Sequence, residues 1–244
     1  MRRFGLIGYP LTHSFSKKYF EEKFRREGLH CSYELFPILS IYELKEIIAS
    51  TPGIEGVNVT IPYKQLVLRH LDEFRVDGLN ACNCIHVSGG KLIGYNTDIS
   101  GFEKSLVPFL QPHHQKALVL GNGGAAAAVI YVLQKLGISF EIVSRKLHDG
   151  STLTYDMLEE HHIREHLLII NTTPLGTFPD VASLPGIPYR YIGRDHLLYD
   201  LVYNPVETAF LKNGKQHGAL VKNGYEMLEL QAEESWKIWN GSGG

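Results

Sequence analysis

Residues 116–126, KALVLGNGGAA, decide the fold of this chain. Residues 117–120 form a short apolar run that predicts a buried strand, and residues 125–133 continue as an alanine-rich helix. Between them lies the glycine-rich turn Gly121-Asn122-Gly123-Gly124. In such a strand–turn–helix unit the first glycine allows the tight turn, Gly123 lets a pyrophosphate approach the backbone, and the helix N-terminus offers N–H groups to phosphates. The stretch predicts a Rossmann-type dinucleotide site; the alternative is an ordinary turn whose glycines serve only their φ angles.

The end of the next predicted strand, residues 139–144, bears on which dinucleotide is bound. In this fold the residue at that position meets the adenosine ribose, and an acidic side chain there would repel a 2′-phosphate. Here the strand ends in Ser144-Arg145-Lys146, and the nearest acid, Glu141, lies in the middle of the strand. Arg145 can bind a phosphate through two hydrogen bonds, so the sequence favours NADP over NAD. A solvated basic turn is the alternative.

Composition limits the classes of partner. The chain has 244 residues, enough for two modest domains, with 20% charged and 44% hydrophobic residues. Its 24 Lys and Arg residues are balanced by 26 Asp and Glu residues, so the chain has no net positive charge to attract nucleic acid or an anionic membrane. A small-molecule partner is therefore expected. With neither a spanning apolar stretch nor a signal-peptide core, a cytoplasmic protein is expected.

Cysteines and histidines indicate no metal centre. Cys31, Cys82 and Cys84 include no CxxC pair, so neither a disulfide framework nor a zinc ribbon is predicted. Residues 162–166, HIREH, match a zinc-peptidase pattern, but they precede an apolar strand where charged helix ends are normally solvated. His113 and His114 are likewise not interpreted as metal ligands.

Strands and helices alternate along the first 75 residues. This order predicts a parallel-rich α/β sheet whose strand ends gather along one edge. The last helix follows Pro62, which suits a first helical position. The predicted strands are residues 4–8, 31–36 and 56–61, and the predicted helices are residues 14–26, 41–49 and 64–74.

A predicted β-hairpin, residues 82–87 and 91–97, interrupts this pattern, and a second α/β series follows it. The chain order therefore predicts an α/β unit first and a Rossmann-type unit second, with a boundary near residues 97–101. The remaining predicted elements are a helix at residues 100–110, strands at 117–120, 139–143, 167–172 and 197–203, and a closing amphipathic helix at 225–239.

Lys64 and Asp98 are the candidate proton-transfer residues. Hydride transfer to a carbonyl needs a proton donor at the oxygen, because the nicotinamide supplies two electrons without that proton. Lys64 lies just beyond the GVNVTIP strand and, as an ammonium, can stabilise and protonate a developing alkoxide. Asp98, at the exit of the hairpin, can orient it and share the proton. The alternative for Lys64 is a solvated surface cation.

Four polar residues are candidates for substrate binding. Ser14 and Ser16 flank a helix start, where two hydroxyls and free N–H groups would suit a carboxylate, although Ser14 can also be a plain N-cap. Asn58 and Thr60 alternate within an apolar strand and so share one face. That face lines a cavity or meets solvent at an edge.

Eight short stretches occur in one order along the chain, from Gly8 to Gln231. They are GYPLTHSFS (8–16), NVTIPYK (58–64), Asn83 in NACNC, GYNTD (94–98), GNGGAA (121–126), NTTPLG (171–176), YDLVYNP (199–205) and NGYEMLELQA (223–232). Together they resemble the shikimate dehydrogenase family. This resemblance implies reversible NADPH-dependent reduction of the ketone of 3-dehydroshikimate to shikimate, on the route to chorismate and the aromatic amino acids. Family members are commonly dimers.

The resemblance also implies a role for individual residues. Ser14 and Ser16 are expected to hold the carboxylate, and Lys64 with Asp98 to transfer the proton. Leu201 and Gly224 are expected near the nicotinamide. The remaining polar contacts to substrate are expected from Thr60, Asn83, Asp98, Tyr203 and Gln231, with Asn58 on the same strand face. Contacts to the pyrophosphate are expected from Gly121, Asn122, Gly123, Gly124 and Ala125, and contacts to the ribose phosphate from Ser144, Arg145 and Lys146.

The implied architecture has two domains with the active site in the cleft between them. The substrate domain is expected to be discontinuous, residues 1–97 with 224–244, and the NADP-binding Rossmann domain to span residues 98–223. Family members often carry Asn-Arg-Thr at the ribose loop, whereas this chain has Ser-Arg-Lys and a short segment before Tyr155. A broader quinate/shikimate dehydrogenase and a catalytically silent NADP-binding regulator are the alternatives, and the presence of Lys64 and Asp98 argues against the second.

Overall fold

The chain divides into two compact α/β units, Met1–Ser100 with Gln231–Gly244 and Gly101–Leu230. The computed structural model describes residues 1–11, 14–147 and 150–241, so Thr12 and His13 of the GYPLTHSFS motif lie outside the described residues. The two divisions fall after Ser100 and after Leu230, slightly further along the chain than the boundaries expected after residues 97 and 223.

The first unit is organised around a mixed six-stranded sheet. Its elements are β1 (Arg2–Gly8), α1 (Phe15–Arg26), β2 (Cys31–Pro37), α2 (Leu44–Ser50), β3 (Ile54–Val59), β4 (Glu73–Phe74), β5 (Cys84–Ser88) and β6 (Lys91–Tyr95). The strand order is β2-β1-β3-β5-β6-β4. Strand β1 pairs in parallel with β2 and β3, while β5 runs antiparallel to both β3 and β6.

Alternation along β1 gives this sheet two apolar faces. Phe4 and Leu6 pack in one cluster with α1 and with the end of a closing helix, α7 (Tyr225–Trp239), whereas Ile7 packs in the other with α2. Successive side chains of a strand point to opposite faces, so one strand serves both clusters. The sheet is thus covered by helices on both sides, as a parallel-rich α/β sheet requires.

The predicted helix over residues 64–74 is wrong. A short 3-10 helix, Leu66–His70, takes its place and is followed by β4, which pairs in parallel with β6. Asp72 shows why: its N–H donates to the Leu92 carbonyl at 2.9 Å and its Oδ2 accepts from the Leu92 N–H at 2.7 Å. Pairing with the open edge of β6 overrides the local helical pattern.

The second unit contains a wholly parallel six-stranded sheet. Its elements are α3 (Thr97–Leu106), which the division splits, β7 (Lys116–Leu120), α4 (Gly124–Lys135), β8 (Ser139–Ser144), β9 (Leu153–Thr154), α5 (Glu160–Glu165), β10 (Leu168–Asn171), β11 (Leu197–Asp200), α6 (Ala209–Gln216) and β12 (Leu220–Lys222). The strand order is β12-β11-β10-β7-β8-β9. From β7 the chain adds β8 and β9 on one side, and it then returns to add β10, β11 and β12 on the other. This strand order is that of a Rossmann sheet, with a switch point between β7 and β10.

The prediction of an α/β fold with a Rossmann-type unit is confirmed, with shifts at several element ends. Helix α3 begins at Thr97, where the Asn96 side chain accepts from the Ile99 N–H at 3.3 Å, and not at residue 100. It ends before Pro108, which lies in a 3-10 turn because proline cannot continue an α-helix. Strand β11 ends at Asp200, three residues before the predicted end at 203.

Candidate active site

Lys64 and Asp98 form an ion pair in the first unit. The Lys64 ammonium donates to Asp98 Oδ2 at 2.6 Å, and the two side chains keep only 17% and 10% of their surface exposed. Lys64 follows β3, and Asp98 lies in the first turn of α3, where the helix dipole stabilises a negative charge. The pair places a proton donor next to a carboxylate that can orient it.

A buried polar network includes Thr97, the residue before Asp98, and Asn58 is its first member. The Tyr33 hydroxyl donates to Asn58 Oδ1 at 2.8 Å, while Asn58 Nδ2 donates to the Asn83 carbonyl at 3.2 Å and to Ser235 Oγ at 3.0 Å. Asn58 is 5% exposed. Because its amide hydrogens are donated within the protein, Asn58 is suited to position its neighbours.

Asn83 and Thr97 continue the network. Asn83 Oδ1 accepts from the Thr97 N–H at 2.7 Å, and Asn83 Nδ2 donates to Thr97 Oγ1 at 3.0 Å. Thr97 Oγ1 also lies 3.2 Å from Ser235 Oγ and 3.4 Å from Gln231 Oε1. The structure therefore brings together two predicted site residues, Asn83 and Gln231, through Thr97 and Ser235, for which no role was predicted.

The predicted carboxylate-binding serines lie at the start of α1. Ser14 is the N-cap, and its hydroxyl oxygen accepts from the Lys17 N–H at 3.2 Å, so its O–H can still donate. Burial raises the pKa of the Tyr33 phenol well above its usual range, and a hydrogen bond with Ser16 opposes this rise. Thr60, just after β3, is half-buried. These hydroxyls are polar groups of the kind that orient a small ligand.

The glycine turn of the second unit has the geometry of a phosphate site. Gly121 has φ +104°, and a Cβ there would lie 2.8 Å from Thr172 Oγ1, so only glycine fits. Gly123 is the N-cap of α4, without a side-chain cap, and nothing lies within 4 Å of a Cβ built on it. The first turn of α4 carries no acidic residue. A pyrophosphate can therefore approach the N–H groups at the positive end of the helix dipole.

This turn borders a cavity of about 790 Å³. It lies at the carboxyl ends of β7, β8 and β10, beside the switch point where Rossmann sheets bind ligands. The open turn and the size of the cavity fit a dinucleotide. The described lining is Gly121, Asn122, Gly123, Ser144, Arg145, Lys146, Tyr155, Thr172, Thr173, Pro174 and Leu175.

The ribose loop is basic and exposed. Arg145 and Lys146 are exposed, whereas Ser144 is buried and its hydroxyl donates to the Lys146 carbonyl at 2.5 Å. Ser144 thus shapes the turn, and the two cations remain available for a phosphate. Tyr155 and residues 172–175 were not predicted as cofactor contacts, since their approach to the pocket depends on the pairing of β8 with β9 and of β7 with β10.

Leu201 and Gly224 lie close together just beyond the carboxyl ends of β11 and β12. Gly224 N–H donates to the Val202 carbonyl at 3.2 Å, and a side chain at Gly224 would collide with the Leu201 backbone. Tyr203, two residues after Leu201, is half-buried, and burial raises the pKa of its phenol. The close backbone approach explains the glycine at position 224.

The histidines of the HIREH stretch form hydrogen bonds within the protein, and Cys82 and Cys84 are buried. His162 Nδ1 accepts from the Glu159 N–H at 3.1 Å at the start of α5, and His166 Nδ1 donates to the His162 carbonyl at 2.7 Å. Burial raises the pKa of the Cys82 thiol to about 12 and that of Cys84 further. Within residues 1–11, 14–147 and 150–241, no group of three or more His, Cys, Asp or Glu side chains is placed to hold a metal ion, and no helix is long and apolar enough to cross a bilayer.

The parallel sheet, the glycine turn and the Lys64–Asp98 pair define a Rossmann-type, dinucleotide-binding α/β protein with a candidate proton-transfer site. A model of the shikimate dehydrogenase substrate-binding domain matches residues 6–85. A curated shikimate dehydrogenase (NADP(+)) from Methanococcus maripaludis is 36% identical, and the match covers 97% of this chain and 91% of that protein. A second, from Halothermothrix orenii, is 38% identical, and the match covers 97% of this chain and 90% of that protein. The chain belongs to the shikimate dehydrogenase family.

The solved structures agree with this assignment. A crystal structure of shikimate 5-dehydrogenase from Thermus thermophilus, in complex with NADP(H) and shikimate, has a TM-score of 0.86 at 31% identity. The match covers 99% of this chain and 94% of that chain. The similarity thus extends over both units of the fold.

Proposed function

We propose that the protein interconverts 3-dehydroshikimate and shikimate with NADP as the hydride carrier. The observation that carries this proposal is the Lys64–Asp98 hydrogen bond at 2.6 Å, in a chain whose relatives are named shikimate dehydrogenase (NADP(+)). A silent NADP-binding regulator would not need this pair. The cofactor and reaction expected from the sequence are thereby supported by the relatives as well as by the site.

Lys64 is the proton donor in the direction of reduction. NADPH supplies the hydride for the ketone carbon, and the carbonyl oxygen gains negative charge as that bond forms. The Lys64 ammonium stabilises this charge and then donates its proton to the oxygen. In the reverse direction the neutral Lys64 amine takes the proton from the hydroxyl. Asp98 keeps the Lys64 nitrogen in place and compensates its charge in both directions.

The substrate contacts belong to polar groups of the first unit. In this proposal the Ser14 and Ser16 hydroxyls hold the carboxylate, and Thr60, Asn83, Asp98 and Gln231 contact the ring hydroxyls. Asn58 acts indirectly, because its amide is committed to Tyr33, Asn83 and Ser235. Tyr203 of the second unit is assigned to the substrate by resemblance alone.

The cofactor contacts belong to the second unit. The turn from Gly121 to Ala125, with Asn122, Gly123 and Gly124, holds the pyrophosphate, and Arg145 with Lys146 holds the 2′-phosphate. Ser144 supports the Lys146 backbone. Leu201 and Gly224 are proposed to border the nicotinamide.

A spectrophotometric assay tests the proposal. Purified protein with shikimate should reduce NADP, as followed at the absorbance of NADPH, and NAD should be a poorer acceptor. Running the same assay with quinate separates the two dehydrogenase hypotheses, because a broader enzyme would oxidise both acids with comparable kcat/KM. An absence of NADP reduction with either acid, from protein that binds NADP, would favour the silent regulator.

Assembly and location are also proposals. We propose a homodimer, which rests on the family resemblance, and a cytoplasmic location, which rests on the composition. Light scattering during gel filtration would contradict the dimer if it returned the mass of one 27.5 kDa chain at micromolar concentration. Recovery of the enzyme with the membrane fraction of its cells would contradict the location.

A further inference from the structure

Asp200 is a buried carboxyl group at the edge of the second sheet where the cofactor cavity lies. It is the last residue of β11, and Asn171, the last residue of β10, lies opposite it in the parallel pairing of the two strands. Asn171 Nδ2 donates to Asp200 Oδ1 at 2.9 Å. Both residues are fully buried, so neither can contact a ligand directly. An effect of this pair on the cavity must pass through neighbouring residues.

On one side, the pair fixes the loop that follows β10. Asn171 Oδ1 accepts from the Thr173 N–H at 3.0 Å and from the Thr173 hydroxyl at 2.6 Å. A carboxylate accepts and does not donate, so Asp200 holds the Nδ2 side of the Asn171 amide and leaves Oδ1 to face Thr173. Thr173 lines the cavity, and a Cβ built on Gly121 would lie 2.9 Å from Thr173 Cγ2. The connected side chains of Asp200, Asn171 and Thr173 thus hold the part of the cavity wall that packs against the glycine turn.

On the other side, the same carboxyl oxygen fixes the turn that follows β11. Asp200 Oδ1 also accepts from the Val202 N–H at 3.0 Å, and the Val202 carbonyl accepts from the Gly224 N–H at 3.2 Å. Leu201 lies between the two ends of the first of these bonds, and it is proposed with Gly224 to border the nicotinamide. One oxygen atom therefore joins a segment that lines the cavity to a segment with a proposed nicotinamide contact.

The second oxygen of Asp200 has a different partner. The Thr208 hydroxyl donates to Asp200 Oδ2 at 2.5 Å, and as the N-cap of α6 it accepts from the Leu211 N–H at 3.3 Å. This side of the carboxyl group stabilises the start of a helix. Because the two oxygens serve different segments, substitutions can separate the effect on the cavity from the effect on stability.

We infer that Asp200 is a positioning residue for cofactor binding, which through Oδ1 holds the Asn171–Thr173 wall and the Leu201–Val202 turn in the arrangement that the dinucleotide requires. The inference rests on the proposed function for the identity of the cofactor. Loops bind a ligand more tightly when the scaffold fixes them before the ligand arrives, because less ordering is then required on binding. Loss of the Oδ1 acceptor would release both segments at once.

The test compares Asp200→Leu with the conservative variant Asp200→Asn. Leucine is similar in size but accepts no hydrogen bond, whereas asparagine keeps Oδ1 for Asn171 and Val202 and can donate its amide to Thr208. Calorimetric titrations with NADP+ and with NAD+ give the dissociation constants. Asp200→Leu should weaken both cofactors about tenfold or more, because the released segments lie outside the 2′-phosphate site. Asp200→Asn should bind both within about twofold of the parent.

Thr208→Val is the matched control for lost stability. It removes the partner of Oδ2 and the cap of α6 but leaves both bonds to Oδ1, so its Tm should fall while its affinities stay within about twofold of the parent. Asn171→Ala is a second variant, which decides the test if Asp200→Leu does not fold. It frees Thr173 while Asp200 keeps its bonds to Val202 and Thr208, and it should weaken both cofactors about fivefold or more.

Parental affinities in folded Asp200→Leu or in Asn171→Ala would overturn the inference. An equally large loss in Asp200→Asn or in Thr208→Val would overturn it too, because the loss would then follow the charge or the general stability of the fold. A loss confined to NADP+ would place the effect at the 2′-phosphate and would also contradict it. Failure of the parent to bind NADP+ would instead overturn the proposed function, so the two failures are distinguishable in one set of titrations.

Discussion

Lys64 Nζ donates a hydrogen bond to Asp98 Oδ2 across 2.6 Å, although 34 positions separate the two residues in the chain. One residue follows β3 and the other begins α3, so two different elements fix the geometry of the pair. Both side chains are largely buried, which limits screening by water and salt. In the role proposed for it, the pair needs no rearrangement before substrate binds, which is the kind of preorganisation that favours proton transfer.

Replacing Lys64 with alanine should lower kcat at least about a hundredfold, the usual scale for losing one acid–base group. Substrate affinity should change far less, because the hydroxyls and amides that we propose as substrate contacts remain. Steady-state kinetics with shikimate and NADP measure both quantities. The control is Lys45→Ala, at an exposed position of α2. If Lys64→Ala retained activity within a few-fold of the parent, Lys64 would be a binding residue only.

Replacing Asp98 with asparagine keeps the shape of the side chain and removes its charge. The Lys64 nitrogen would lose its counter-charge and its fixed position, so kcat should fall about tenfold or more. Asp77→Asn, at an exposed position of the same unit, is the control. An unchanged kcat for Asp98→Asn, with only KM raised, would show that Asp98 binds substrate without supporting Lys64.

Replacing Arg145 with alanine should weaken NADP binding about tenfold or more and leave NAD binding nearly unchanged, because a charge-assisted phosphate contact is lost. The Kd for each cofactor can be followed by quenching of protein fluorescence. Arg194→Ala, at another exposed position of the second unit, should have no effect on either cofactor. Equal weakening of both cofactors would contradict the assignment of Arg145 to the 2′-phosphate.

Part of this site could be predicted from the sequence because its signals are local. The glycine turn, the apolar strand before it and the basic loop after β8 each lie within one short stretch, and the structure places the turn and the loop around one cavity. Contacts that depend on tertiary pairing could not be predicted in this way. Strand β4 forms because β6 offers an open edge, and Thr97 joins Asn83 to Gln231 only once the hairpin and α7 have packed.

Replacing Asn58 with leucine should lower the free energy of unfolding by about 2 kcal/mol or more, because buried polar partners lose their hydrogen bonds. Those partners are the Tyr33 hydroxyl, the Asn83 carbonyl and Ser235 Oγ. Urea unfolding measures the change. Asn80→Leu, at an exposed position of the same unit, should cost little. A stable Asn58→Leu protein with lost substrate binding would make Asn58 a direct substrate contact.

Asp200 should make the protein less stable as the pH rises through the weakly acidic range. Burial raises the pKa of this carboxyl from 3.8 to about 6, against hydrogen bonds from Thr208, Val202 and Asn171 that lower it. The folded protein therefore holds a proton that the unfolded chain releases. The stability from this proton is fully present below about pH 4 and is lost as the pH rises through about 6.

The loss is on the order of 3 kcal/mol, at 1.36 kcal/mol for each unit of pKa. Asp200→Asn should remove this slope, so that urea unfolding between pH 4 and 7 shows the parent losing stability relative to the variant. Asp180→Asn, at an exposed position of the same unit, should keep the slope of the parent. If Asp200→Asn and the parent had parallel stability profiles over this range, the carboxyl would titrate equally in the folded and unfolded chains, and its burial would have no effect on its pKa.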